Sequence, residues 1–126
     1  MIGIILGLGS DIIDIARIDA LISRFGKRFI VKIFTPAEIA AFRGGAYYAK
    51  RYAAKEAFLK ALGTGFAKGI KWHDMEILND ELGKPVMNVY GNAKKIMDNL
   101  ASGQAHINVS LSDTSTIAFA VVVISK

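Results

Sequence analysis

The alanine-rich stretch from Tyr47 to Leu62, closed by Gly63-Thr64-Gly65, constrains the fold most. It holds neither proline nor glycine, so it reads as one helix with a glycine stop. Glu56 and Lys60 are four apart in it and share a face, about 40° apart around the axis. Arg51 and Lys55 lie to one side. A surface ion pair worth a few tenths of a kcal/mol accounts for most such Glu–Lys pairs. Here Ala49, Ala53 and Ala57 flank the face and leave room for something to approach. The glycines beyond it let backbone come close to a ligand. The dipole at a helix C-terminus does not favour an anion. A phosphate there has to be held by lysine, a metal ion or loop amides.

A second carboxylate stands near the start of the chain. Residues 2–10 form an apolar run that reads as a buried strand, and Asp11 follows Gly9-Ser10 at a strand-to-helix junction. A turn or N-cap aspartate is the ordinary explanation. Magnesium offers another, because it keeps waters, takes oxygens from substrate phosphates and needs few protein carboxylates. Asp11 and Glu56 together would suffice.

The other elements follow from spacing. Ile15, Ile18, Ile22 and Phe25 predict an amphipathic helix over 14–25, with Asp14 as N-cap and Gly26 as its stop. Thr35-Pro36-Ala37-Glu38 has the form of a capping box and opens a short helix to about Phe42, before Gly44-Gly45. Met75–Leu78, the turn cluster 79–85 and Val86–Tyr90 predict a strand and its return. Ala93, Ile96, Met97 and Leu100 mark another helix. Ile107, Val109 and Leu111 alternate with polar residues in a half-buried strand. Ile117–Ile124 is nearly all apolar, and is expected to end the sheet buried on both faces or at an oligomer interface. Hairpins separated by helices predict an α+β fold with a largely antiparallel sheet.

At 126 residues the length fits one domain, 1–126, with little chain left for a deep private pocket. No cysteine is present, which removes disulfides, zinc–cysteine sites and thiol chemistry and fits a reducing cytoplasm. The apolar N-terminus lacks a basic n-region and a cleavage site, and no apolar run is long enough for a membrane helix. The net charge of +5 favours an acidic partner or an anionic ligand. Arg17, Arg24 and Arg28 project opposite the apolar stripe of the first helix, if something close to that helix continues past Gly26. They form either a solvated basic face or a dock for an acidic protein. Gly7-Leu8-Gly9 lacks the third glycine and the parallel unit of a dinucleotide fingerprint, and the loop after Leu62 lacks the Gly-Lys-Ser/Thr ending of a P-loop. His73 and His106 have no partners at metal-ligand spacing, and Trp72 reads as a packing aromatic.

Taken together, Gly7–Ile18, Phe34–Glu38, Arg51–Gly65, Leu82–Pro85 and Val109–Asp113 resemble, in order, the holo-[acyl-carrier-protein] synthases, the small 4′-phosphopantetheinyl transferases. The block Arg51–Gly65 is the most specific. The resemblance implies a 4′-phosphopantetheinyl transferase-like fold completed by a homotrimer with sites between subunits. It implies Mg²⁺ on Asp11 and Glu56, and Lys60 beside the phosphates. Arg51, Gly63, Thr64, Gly65, Lys84 and Pro85 fall in segments that line the coenzyme A site. Arg17 matches the arginine of the helix that meets the acidic acyl carrier protein; Arg24 and Arg28 are looser matches. Many members carry histidine where Asp113 stands, others an acidic residue, and no histidine role transfers to it. The implied reaction moves phosphopantetheine from coenzyme A to a carrier serine and releases adenosine 3′,5′-bisphosphate, with Glu56 or an ion-held water taking the serine proton. The rival reading, a basic non-enzymatic module for nucleic acid, predicts basic and aromatic residues clustered on one surface. The charges are scattered outside the first helix.

Overall fold

The computed structural model describes residues 3–126. Strand β1 (Ile5–Asp14) pairs antiparallel with β5 (Ile117–Ser125), which pairs antiparallel with β4 (His106–Asp113), giving the order β1-β5-β4. A separate hairpin, β2 (Met75–Asn79) and β3 (Pro85–Val89), closes through hydrogen bonds between Asp80 and Lys84. The α+β class and the antiparallel pairing agree with the sequence pattern. The strands nevertheless fall into two sheets, and β5 is the middle strand of the larger one rather than its end. Ile2, the first residue of the expected strand, lies outside the described residues.

The boundary between the first strand and the first helix moves. β1 runs on to Asp14, so Asp11 lies inside a strand, opposite Ala120. Alternation explains this: Ile13 points inward and Ile12 outward, and pairing with β5 continues to Asp14. Asp14 takes the N-cap position of helix α1 (Ile15–Phe25), but its side chain makes no capping hydrogen bond. Gly26 ends α1 at φ 57°, a backbone that glycine adopts cheaply, and the chain re-enters a helix at once, α2 (Lys27–Ile33).

Helix α3 (Pro36–Ala40) starts with the expected capping box, Glu38 N–H donating to Thr35 Oγ1 at 3.2 Å and Thr35 N–H to Glu38 Oε1 at 2.9 Å. Helix α4 (Tyr47–Leu62) has the expected bounds, with Gly63 left-handed behind it. A 3₁₀ turn (Trp72–Asp74) leads into β2, and α5 (Gly91–Ala101) follows β3.

Helix α4 is the centre of the molecule, lying on one face of the β1-β5-β4 sheet. Ala53, Ala57, Ala118, Ala120, Val122 and Ile124 are fully buried between them. The approach is closest at two glycines of β1. A Cβ on Gly9 would sit 2.0 Å from the Ala57 carbonyl oxygen, and one on Gly7 2.1 Å from that of Ala61. Only glycine at these positions lets helix backbone rest directly on the strand. Gly7, Gly9, Asp11 and Ile13 share that inner face through the two-residue period. The opposite face of the sheet carries Leu8, Ile12 and Phe119, with Leu8 and Ile12 about two-thirds exposed.

The far side of α4 is held by buried charge. Lys55 and Glu38 are both fully buried and 2.6 Å apart. Glu38 also accepts from Ile77 N–H at 2.9 Å, and Lys55 donates to the carbonyl oxygens of Ile33 at 2.7 Å and Trp72 at 3.4 Å. The network ties α2, α3, α4, the 3₁₀ turn and β2 to one point, with each charge satisfied as burial demands.

Candidate functional site

Packing of α4 on the glycines of β1 sets Glu56 and Lys60 beside Asp11. Lys60 Nζ lies 3.1 Å from Asp11 Oδ1 and donates to the Ser10 carbonyl oxygen at 3.0 Å. The lysine is more than half exposed while Asp11 is largely covered, so the pair opens to solvent on the lysine side. Glu56, one turn earlier on the same face, is half-buried. Its burial, and then the negative field of Asp11, push the carboxyl above the usual glutamate range. The Tyr52 hydroxyl, Lys60 and Arg17 pull in the opposite direction without cancelling the rise.

A carboxylate whose charge is disfavoured by burial and by a second carboxylate beside it, at a partly exposed site, suits a divalent cation. Among the described residues no three His, Cys, Asp or Glu side chains gather as a metal cage. Magnesium needs no such cage, since one or two carboxylates plus substrate phosphates complete its octahedron. The donor set of Asp11 and Glu56 therefore fits it.

The other sequence candidates divide. Arg51 is buried on the far side of α4. It donates to the Ile77 carbonyl oxygen and to Asn79 Oδ1, both at 3.2 Å, and its guanidinium lies 3.7 Å from the Tyr47 ring centroid. Asn79 pairs with Pro85 across the hairpin, so Arg51 and the Lys84-Pro85 turn are neighbours, apart from the Asp11–Glu56–Lys60 group. Gly63, Thr64 and Gly65 follow α4 in an exposed loop, where Thr64 Oγ1 donates to the Gly65 carbonyl oxygen at 3.0 Å.

Arg17 is exposed on α1, and its charge acts on Glu56 and Tyr52, so it belongs to the carboxylate group as well as to the surface of α1. Arg24 sits over the Phe25 ring at 5.1 Å. Arg28 lines a groove between α1 and α2 with Leu21, Phe25, Phe29 and Lys32. Asp113 pairs with Lys50 at 3.2 Å. His73 Nε2 lies 2.8 Å from the Val31 carbonyl oxygen, and His106 is exposed.

Sequence reasoning passed over Tyr52. It stands four residues before Glu56, with its ring centroid 5.3 Å from that of Trp72 and 6.5 Å from that of Phe29. The i, i+4 spacing was the available signal. Trp72 packs as expected, between Tyr52 and Phe66.

Comparison with known proteins gives the family. A family model for the 4′-phosphopantetheinyl transferase superfamily matches residues 7–120. A holo-[acyl-carrier-protein] synthase of Vibrio atlanticus is 45% identical over 126 residues, spanning 97% of this chain and 98% of that protein. The crystal structure of the Neisseria meningitidis holo-[acyl-carrier-protein] synthase superposes with a TM-score of 0.85 at 38% identity, covering 98% of this chain and 100% of that one. That of the Helicobacter pylori synthase, in complex with coenzyme A, gives 0.81 at 30% identity, covering 93% and 98%. Among the described residues no helix is long and apolar enough to cross a membrane.

Proposed function

We propose that this chain, which belongs to the 4′-phosphopantetheinyl transferase superfamily, transfers the 4′-phosphopantetheine group of coenzyme A to a serine of apo acyl carrier protein. The serine oxygen bonds to the phosphorus that carries pantetheine. The bond from that phosphorus to the bridging oxygen breaks, and adenosine 3′,5′-bisphosphate leaves with the electron pair. The serine proton passes to Glu56 or to water.

The observation that carries this reading is the meeting of Asp11 with Glu56 and Lys60, fixed by helix backbone on strand glycines. Phosphoryl transfer needs alignment and charge neutralisation more than covalent help. Asp11 and Glu56 would hold Mg²⁺, whose contribution is to grip the diphosphate and offset the charge that develops on it. Lys60, exposed and anchored to β1, supplies a point charge at the leaving phosphate. Arg17 adds positive field at the same place. Both stand on helices, α1 and α4, that pack against β1.

The remaining candidates form the other part of the coenzyme A site. Arg51 with Lys84-Pro85, and the Gly63-Thr64-Gly65 loop, sit apart from the carboxylates within one protomer. A homotrimer brings such parts together from neighbouring subunits. The exposed apolar face of Leu8, Ile12 and Phe119 supports association through the sheet. The groove between α1 and α2, apolar at its floor and rimmed by Arg28 and Lys32, with Arg24 alongside, receives the acidic carrier.

Mass spectrometry of apo acyl carrier protein incubated with this chain, coenzyme A and magnesium tests the reading. A mass gain of one phosphopantetheine, absent with a chelator, is expected. An unmodified carrier overturns the assignment.

A further inference from the structure

Tyr52 is held in place by more than helix packing. Its ring lies between Trp72 of the 3₁₀ turn and Phe29 of α2, with centroids 5.3 Å and 6.5 Å away. Trp72 is braced in turn by Phe66 at 4.3 Å, and its carbonyl oxygen is bound by Lys55. Three aromatic rings, from α2, the loop and the 3₁₀ turn, therefore restrict the direction of one side chain. Such ring contacts contribute about 0.5–1.5 kcal/mol each beyond the area they bury.

Glu56 stands one turn further along α4, on the same face, and its side chain leans back toward Tyr52 as helical side chains do. The hydroxyl shares its surroundings with Glu56, Arg17 and Asp11. A purely packing role would need no hydroxyl there, since phenylalanine presents the same faces to Trp72 and Phe29. The polar end of the ring is instead influenced by charges gathered at the junction of α4 and β1.

We propose that Tyr52 is a positioning residue, whose hydroxyl donates a hydrogen bond to the Glu56 carboxylate and turns its second oxygen toward Asp11. This rests on the reading of Glu56 as a metal-holding carboxylate. A free glutamate side chain samples several rotamers, and binding a cation must select one of them. A donor clamped by aromatic rings makes that selection beforehand. The tyrosine touches neither substrate nor ion and acts only through Glu56.

The test uses Mn²⁺ alone as the probe, with the free ion followed by electron paramagnetic resonance, in wild type, Tyr52→Phe and Glu56→Gln. Tyr52→Phe keeps the ring contacts, so the melting temperature and the KM for the carrier stay at wild-type values. Its Mn²⁺ Kd is expected to rise about tenfold, the worth of one hydrogen bond to a charged group, and kcat to fall with it at subsaturating metal. A wild-type Mn²⁺ Kd in Tyr52→Phe, with binding lost in Glu56→Gln, overturns the positioning role alone. Wild-type Mn²⁺ affinity in Glu56→Gln overturns both the ligand reading and the role of Tyr52.

Discussion

Lys60 and Asp11 meet across the junction of α4 and β1, Nζ to Oδ1 at 3.1 Å, with the Ser10 carbonyl oxygen accepting from the same ammonium at 3.0 Å. The lysine is thus tied to the strand that carries one carboxylate and to the helix that carries the other. Lys60→Ala should change stability by less than about 1 kcal/mol, because the pair is partly exposed and screened. It should lower kcat by about a hundredfold through loss of charge at the leaving phosphate. Thermal melts beside transfer kinetics separate the two effects.

Glu56 carries the cost of its location. Its carboxyl titrates above the usual range in the folded chain, from burial and then from Asp11. In the window from the unfolded value up to the raised folded value the native state binds more protons. Stability contributed by this group is therefore present at low pH and lost as pH rises through that window. Metal-free Glu56→Gln should lack this loss and melt higher than wild type at neutral pH, with the difference shrinking toward pH 4. The same variant should lose most magnesium-dependent transfer. Melting curves across pH in the presence of a chelator check the first effect, and transfer assays the second.

Gly9→Ala puts a methyl group 2.0 Å from the Ala57 carbonyl oxygen. Backbone cannot yield there without lifting α4 from the sheet. A loss of about 3 kcal/mol or more is expected in urea unfolding, with activity falling further than stability alone explains, because Glu56 and Lys60 move with the helix.

Arg28 stands at the rim of the α1–α2 groove, on a different element from the carboxylates. Arg28→Glu should raise the KM for the carrier about tenfold by charge reversal, leaving the KM for coenzyme A unchanged. Wild-type turnover at subsaturating carrier should fall as salt is added. Steady-state kinetics across ionic strength decide both.

The course of the chain was partly legible from pattern. Spacing gave α4 to the residue, the capping box at Thr35 and Glu38, and the antiparallel strands. The end of the apolar run and the change of period after Asp11 put that residue at a strand-to-helix junction. In fact the glycines admit a helix, and the strand carries on to Asp14 through its pairing with β5. Gly26 stops α1 as its position implies, and it also forms the corner from which a second helix starts at once. Glu38 was legible as a local cap, but not as the partner of Lys55, because that contact joins residues far apart in sequence. Arg51 and Lys55 stood out as charged positions, and nothing local revealed that both are buried. The pairing of Asp11 with Glu56 and Lys60 is suggested by the residue pattern and again by the resemblance, whereas the close packing that produces it required the fold.

Lys55 and Glu56 are adjacent in sequence but about 100° apart around the helix, one in a sealed ionic knot and the other half-buried on the face it shares with Lys60. A helix pinned on the sheet by glycines and on its far side by this knot has little freedom to roll about its own axis. Variation that loosens the knot would be felt one residue later as a misaimed carboxylate, so activity should fade well before the chain unfolds.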